Sequence, residues 1–305
     1  ILSQVESDKL YLGLVSRGYE DGEQDAATSS NSTEDTSHAP LLQVKGVSFH
    51  YDDGYEALRQ ITCTIEQGER IALLGHNGAG KSTLFLLLSG LQSSWEGAVY
   101  LQGELVPPQE RIALRKQVAL VLQNSNYQLF TPSVEDEITF GLKNIGLKED
   151  ALHTRLEELL TRYELTALLH KPPHELSEGQ KKWVALVAVL ATDPKVLILD
   201  EPTAALDALY TERVLELLEE LHQAGKTIIL STHDMELASR FADRVLLLEG
   251  GQLICDRKAS ELWSDTDLLK AKHLSQPWAW RTEKRPLPRS ISLSSEQQVY
   301  HLPLF

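Results

Sequence analysis

The stretch Gly75-His76-Asn77-Gly78-Ala79-Gly80-Lys81-Ser82-Thr83 follows the apolar run Ile71-Ala72-Leu73-Leu74 and precedes Leu84-Phe85-Leu86-Leu87-Leu88. The first run reads as a buried strand, the last as the start of a buried helix. A glycine loop between strand and helix fits G-x-x-x-x-G-K-[ST], a pattern that gains its meaning from that context. Glycines let backbone N–H groups wrap an anion, and the helix N-terminus adds partial positive charge. In this frame Gly75, Asn77, Gly78 and Gly80 shape a phosphate cradle that Thr83 closes. Lys81 reaches the β/γ-phosphates and Ser82 offers its hydroxyl to Mg²⁺. An ordinary Gly-rich turn is the plain alternative, and the residues downstream argue against it.

A second apolar strand, Val196-Leu197-Ile198-Leu199, delivers Asp200-Glu201 at its C-terminal end. This is a Walker B arrangement, in which Asp200 holds Mg²⁺ through water and Glu201 polarises the attacking water. Alone, two carboxylates after a strand usually start a solvated loop. Here they follow a phosphate loop and lead into Pro202-Thr203-Ala204-Ala205-Leu206-Asp207. Upstream, Leu176-Ser177-Glu178-Gly179-Gln180 opens a helix, with Ser177 placed as N-cap and an open N-terminus that suits an anion. Ser231-Thr232-His233-Asp234 follows the strand Thr227–Leu230, and Gln123 ends the strand Val118–Leu122.

Bulk properties narrow the classes. Across 305 residues, 42% hydrophobic content is enough for a packed core. A net charge of −15 argues against a general nucleic-acid surface. The longest apolar run, Trp183–Ala191, has nine residues and is too short to span a bilayer. Cys63 and Cys255 form no C-x-x-C and sit in strand-like segments, as reduced core thiols of a cytosolic protein would. The chain opens on Ile1 rather than Met and carries no signal-peptide pattern, which suggests a piece of a longer product. His170 and His174 flank Lys171-Pro172-Pro173 in an expected loop, and no compact His/Cys set predicts a transition-metal site.

Four regions follow along the chain. Residues 1–19 look helical. Residues 20–40 hold six acidic residues, no Lys or Arg, and many Ser, Thr and Ala, the composition of a disordered linker. A folded domain spans 41–263. Its β-rich start includes Leu42–Phe49, Ile61–Ile65 and Ala98–Leu101, and its helical stretch runs from Ser133 to Leu169. Between the strands Val196–Leu199 and Thr227–Leu230, the residues Val214, Leu217, Leu218 and Leu221 make one apolar helix face, closed by Gly225. Val245–Leu248 reads as a further strand, and 264–305 as a tail.

Taken together and in this order, Gly75–Thr83, Gln123, Leu176–Gln180, Leu199-Asp200-Glu201, Ala205-Leu206-Asp207 and His233 resemble the ATPase subunit of an ABC transporter over residues 41–263. The resemblance implies an α/β P-loop fold with a RecA-like core, an antiparallel β subdomain and a helical subdomain around 124–190. It also implies roles. Tyr51 stacks on adenine. Gln123 touches Mg²⁺ and the attacking water and senses a membrane partner. His233 contacts the γ-phosphate. Ser177 and Gly179 complete the ATP site of a second subunit, so that two chains sandwich two ATP molecules head to tail, and Gln180 and Asp207 belong with the nucleotide-binding residues. Glu178 stands where the family commonly has Gly, and is expected to point outward, because a carboxylate aimed at a γ-phosphate would repel it. Trp183 stands where a basic residue is frequent.

The segment Gln123–Ile138, with Phe140-Gly141-Leu142-Lys143-Asn144 and Asn144-Ile145-Gly146-Leu147, looks like the energy-coupling-factor group, especially its cobalt/nickel ATPases. The resemblance implies that Gln128-Leu129-Phe130 lines a groove for a helix of the transmembrane T component. A substrate-binding membrane component completes such a transporter, and the ATPase lies on the cytoplasmic face of the cell membrane. Glu6–Tyr19, with Ser16-Arg17-Gly18, is similar to the cytoplasmic coupling end of a T component; an unrelated helix is the competing reading. Two other functions compete: the same ATPase serving vitamin uptake, and a non-transport ABC ATPase of repair or translation. Zinc modules, long coiled coils or tandem cassettes would mark the second, and the sequence shows none.

Overall fold

The computed structural model describes residues 39–281. The candidate coupling helix at 1–19, nearly all of the 20–40 linker and the chain beyond Arg281 lie outside the described residues.

The chain begins with β1 (Leu42–His50), β2 (Glu56–Ile65), β3 (Arg70–Leu74), α1 (Lys81–Leu88), β4 (Glu96–Leu101), β5 (Glu104–Leu105), α2 (Ile112–Gln117) and β6 (Val118–Val121). Three helices follow, α3 (Val134–Asn144), α4 (Glu149–Arg162) and α5 (Glu178–Leu190). Next come β7 (Val196–Asp200), α6 (Ala208–Gln223), β8 (Thr227–Ser231), α7 (Met235–Phe241), β9 (Arg244–Glu249) and β10 (Gln252–Lys258). The described chain closes with α8 (Ala259–Ser264) and α9 (Thr266–Ala271).

Two sheets form. The first is antiparallel, in the order β2-β1-β4-β5. The second runs β10-β9-β3-β8-β7-β6 and is parallel except for the β9–β10 hairpin. Its strands are continuous apolar runs because both faces are buried. Along β3, Ile71 and Leu73 pack into the core shared with α1 and the antiparallel sheet, while Ala72 and Leu74 pack into the core shared with the helices. β7 divides in the same way, with Val196 and Ile198 on one side and Leu197 and Leu199 on the other. The α/β P-loop architecture expected from the sequence is the one observed.

Helix starts are set by local chemistry. Ser133 caps α3 by accepting from Asp136 N–H, and Glu135, Asp136 and Glu137 crowd its first turn, where the helix dipole favours negative charge. Asp207 caps α6 through Tyr210 N–H, and Asp234 caps α7. Glu137 does more than complement a dipole. It is buried, and its Oε2 accepts from Phe130 N–H at 3.1 Å, Thr131 N–H at 3.1 Å and Thr131 Oγ1 at 2.8 Å. Burial raises its pKa, and these three donors oppose the rise. The segment 129–131 is thereby stapled to the helical subdomain.

The packed chain continues beyond 263, where the sequence reading starts a tail. Leu262, Trp263 and Leu269 are buried, and Leu274 and Trp280 pack against the helical-side core. Lys272 pairs with Glu249 at 2.6 Å, and Trp278 N–H donates to Glu236 Oε1 at 2.7 Å. Both cysteines are free and buried, and burial pushes the Cys63 thiol up to about 12, so it stays protonated.

Glu137→Ala strands the amides of Phe130 and Thr131. The loss should be about 1–3 kcal/mol, seen in thermal unfolding as a fall in Tm of roughly 2–10 °C. An unchanged Tm would show that the staple carries no stability.

Candidate functional site

In the parallel sheet the strands β3, β8, β7 and β6 all end on one edge, where ligands of open α/β sheets bind. The register places Leu73 opposite Ser231 and Asp200 opposite Ser231, so the loop after β3 and the ends of β7 and β8 converge. The β3–α1 loop is forced tight. A Cβ on Gly80, whose φ is +102°, would lie 2.7 Å from the Ala57 carbonyl oxygen, and one on Gly75 would lie 2.4 Å from that of Leu248. Any side chain at either position would push the loop off the sheet.

Around this loop a chain of hydrogen bonds joins the expected residues. Ser82 Oγ donates to Asp200 Oδ2 at 2.7 Å, and Ser231 Oγ donates to Asp200 Oδ1 at 2.5 Å. Glu201 N–H donates to Ser231 Oγ at 3.0 Å. The Glu201 carboxylate accepts from His233 Nδ1–H at 2.9 Å, which fixes that ring nitrogen as the protonated one. Asp200 and Glu201 are buried, while His233 is largely exposed. The Lys81 ammonium donates to the carbonyls of Gly75 at 2.6 Å and His76 at 3.1 Å. Burial lowers its pKa, and the nearby charges of Glu201 and Asp200 oppose that.

Tyr51 enters from the end of β1, and its hydroxyl is 2.9 Å from Thr83 Oγ1. Its ring meets Phe49 edge-on and lies nearly parallel to Tyr55 at 6.5 Å between centroids. Asn77 and Gly78 are exposed at the tip of the β3–α1 loop. Gln123 follows β6, whose Val121 pairs with Leu199, so it leaves the sheet beside Asp200, and its side chain is exposed.

The remaining expected residues form a second group at the start of α5. Ser177 and Gln180 make a capping box, with Ser177 N–H donating to Gln180 Oε1 at 3.0 Å and Gln180 N–H donating to Ser177 Oγ at 3.3 Å. Glu178 points to solvent and pairs with Lys181 at 2.8 Å. Among the described residues, no hydrogen bond joins Ser177, Gly179, Gln180 or Asp207 to the phosphate loop of the same chain. The amides of Ser177 and Gln180 are taken up by the box itself, and Asp207 accepts from Tyr210 N–H at the start of α6.

The comparisons agree with this geometry. The family described as ABC transporter matches residues 58–204. The "Energy-coupling factor transporter ATP-binding protein EcfA" of Methanothermobacter thermautotrophicus is 40% identical over 239 residues, covering 78% of this chain and 77% of that protein. The protein of the same name from Methanosphaera stadtmanae is also 40% identical, with 78% and 86% covered. The chain belongs to the ATP-binding proteins of energy-coupling-factor transporters. Among solved structures, cbiO1 from Clostridium perfringens, described as part of the ABC transporter complex cbiONQ, is similar at 36% identity and TM-score 0.66, covering 76% of this chain and 94% of that one. A dimeric ATP-binding cassette in a post-hydrolysis state with ADP and Pi is similar at 27% identity and TM-score 0.64. This protein is therefore an ABC ATPase, an enzyme whose ATP hydrolysis serves transport.

The structure of this ABC ATPase adds residues that the sequence reading did not single out. Ser231 joins Asp200 to the backbone of Glu201; the signal was a hydroxyl directly after an apolar strand. His76 Nε2–H donates to the Lys272 carbonyl at 3.0 Å, so the phosphate loop touches the segment after α9. Gly179 has a local reason to be glycine. A Cβ there would lie 2.6 Å from Tyr210 Cδ2 in the first turn of α6.

Two effects of Gly179→Ala oppose each other. Alanine is the better helix former by up to about 1 kcal/mol, but overpacking against the Tyr210 ring costs about 1–3 kcal/mol, so Tm should fall. In a Tyr210→Ala background the clash is gone, and Gly179→Ala should then be neutral or stabilising. Equal losses of Tm in both backgrounds would rule out the packing role.

Proposed function

We propose that this chain is the ATP-hydrolysing subunit of an energy-coupling-factor importer for cobalt or nickel ions, working as a head-to-tail dimer on the cytoplasmic face of the membrane. The observation that carries the chemistry is the hydrogen-bonded series Ser82–Asp200–Ser231–Glu201–His233 at one edge of the parallel sheet. ATP sits with its phosphates over the N-terminus of α1, cradled by the backbone of Gly75, Asn77, Gly78 and Gly80, with Lys81, Ser82 and Thr83 beneath and Tyr51 against adenine.

The donor set fits Mg²⁺. Ser82 Oγ and the Asp200 carboxylate are hard oxygen ligands already 2.7 Å apart, and Gln123 emerges beside them. Ser82, Asp200 and Gln123 would hold the ion, which would offset the negative charge of the phosphates. Glu201 accepts a proton from, and orients, the water that attacks the γ-phosphorus. His233, held by the Glu201 carboxylate, faces the γ-phosphate. Ser177 and Gly179, with Gln180 and Asp207, cap the ATP bound to the second subunit.

The import reading is supported by the family membership and by the resemblance of residues 123–147 to cobalt/nickel ATPases; vitamin uptake uses the same engine. The coupling surface lies around 127–130. Leu129 is buried and Gln128 is tied to Leu122 N–H and the Ala185 carbonyl, so the exposed apolar groups there are Tyr127 and Phe130, the latter edge-on to Phe140. A T-component helix docks on them, as does the segment 1–19 read as a coupling helix in the sequence, with Arg17 as its anchoring charge.

Glu201→Gln should bind ATP, lose hydrolysis by about 10²–10⁴-fold and dimerise in Mg-ATP. Adding Ser177→Arg should abolish that dimer in light scattering. Turnover near the wild-type rate in Glu201→Gln rejects the role of the carboxylate, and a dimer that survives Ser177→Arg rejects capping in trans.

The 1–19 helix is tested by cysteines at Ser16 and Tyr127 of the full chain. Cross-linking should be efficient if residues 1–19 dock there: a flexible coil the length of 20–40 would span roughly 25 Å. It should weaken in Arg17→Glu, with metal uptake falling and basal ATPase unchanged. Cross-linking and uptake both intact in Arg17→Glu would remove the coupling role.

A further inference from the structure

Glu201 occupies a left-handed backbone conformation, φ +49°, and Ala205 does so again at φ +62°. Residues with a Cβ hold such conformations only where their surroundings impose them. On the N-terminal side the constraint is Ser231, whose carbonyl and hydroxyl oxygens both accept from Glu201 N–H, at 3.2 and 3.0 Å. On the C-terminal side it is Lys182. Its ammonium donates to the Glu201 carbonyl at 2.9 Å and to the Ala204 carbonyl at 2.6 Å.

Lys182 is suited to that task. It lies three residues after Gly179 on α5, hence on the same helix face, and that face meets the segment 201–210 at both points. It is half-buried, and burial lowers its pKa against the opposing pull of the Glu201, Glu178 and Asp200 charges. An ammonium brought out of water to serve two neutral carbonyls is an expensive way to hold a loop unless the geometry of that loop matters.

We infer that Lys182 is a positioning residue for hydrolysis: it locks the turn from Glu201 to Ala204, so that the Glu201 carboxylate stays aimed at the site of attack. The inference rests on the assignment of Glu201 as the water-orienting carboxylate. The Lys182 ammonium donates its hydrogen bonds to main-chain carbonyls of the turn. It acts on the backbone that carries Glu201, so its removal slows the chemical step and leaves ATP binding intact.

The full chain is tested by steady-state ATPase, binding of a fluorescent ATP analogue and thermal unfolding. In Lys182→Met, kcat should fall about 10–100-fold, the scale of a displacement of about 1 Å at a catalytic group, with KM and analogue affinity within about twofold. Lys182→Arg, which keeps several donors, should recover most of the loss. In a Glu201→Gln background, Lys182→Met should change the residual rate by less than about twofold, because the two act as one unit. A wild-type kcat in Lys182→Met overturns the proposal, as does a loss that recurs in full in the Glu201→Gln background, or a fall in affinity matching the fall in kcat. If Lys182→Met does not fold, Lys182→Gln is read by the same criteria. Normal turnover in Glu201→Gln overturns the assignment beneath the proposal, whereas an inactive Glu201→Gln with an active Lys182→Met overturns the grip of Lys182 alone.

Discussion

The structure turns on the Asp200 carboxylate. It is buried at the end of β7, and each of its oxygens accepts from a hydroxyl, Ser82 at the start of α1 and Ser231 at the end of β8. A buried carboxylate without such donors would cost several kcal/mol, so β3, β7 and β8 are held in the register that brings these hydroxyls to it. Parallel strands supply that register because each apolar run must match its neighbours on two buried faces, and a slip by one residue would invert both. The same carboxylate that aligns the strands is thus the one presented to a hard cation at their ends.

A second constraint lies on α5. Its first turn carries the capping box of Ser177 and Gln180, its next turn carries Lys182, and its remainder is buried as Trp183, Val184, Ala185, Leu186 and Val187. Trp183 illustrates how composition and place separate. Its indole N–H donates to the Tyr163 carbonyl at 2.9 Å, and the Arg213 guanidinium lies 4.7 Å from its ring centroid. The same guanidinium pairs with Glu164. The helical subdomain and α6 are tied by this aromatic–cation contact.

How much was legible in the residues follows from the range of the interactions. The phosphate loop, the apolar strands and the helix caps are written within a few residues each, and the structure repeats them. Asp207 as a cap of α6 needs only a side chain two or three residues ahead of its donor. What the sequence hides is what pairs across long separations. Gly179 reads as a signature glycine, and only the fold places Tyr210 against it. His76 stands in the phosphate loop with no partner visible nearby in the sequence, and its partner is Lys272, 196 positions away. The segment after 263 reads as a tail because α8 and α9 have only six residues each, too short for a helical period to stand out, yet Leu269 is buried against the helical-side core. Gln128 reads as lining a groove, and in the fold its side chain closes hydrogen bonds with Leu122 N–H and the Ala185 carbonyl.

Lys81 shows how the loop is prepared for an anion before one arrives. The ammonium is half-buried and satisfied by two carbonyls of its own loop, at Gly75 and His76. Burial disfavours its charge, and the carboxylates of Glu201 and Asp200 restore it. A phosphate oxygen offers a charged acceptor in place of a neutral one, and charge-assisted bonds are roughly twice as strong. The fold has already taken part of the water from the ammonium, so less remains to be removed in the exchange. The His76 carbonyl released in that exchange belongs to the residue whose ring holds the Lys272 carbonyl. The phosphate-loop region is thus tied by side-chain hydrogen bonds to two distant parts of the chain, to Tyr51 through Thr83 and to Lys272 through His76.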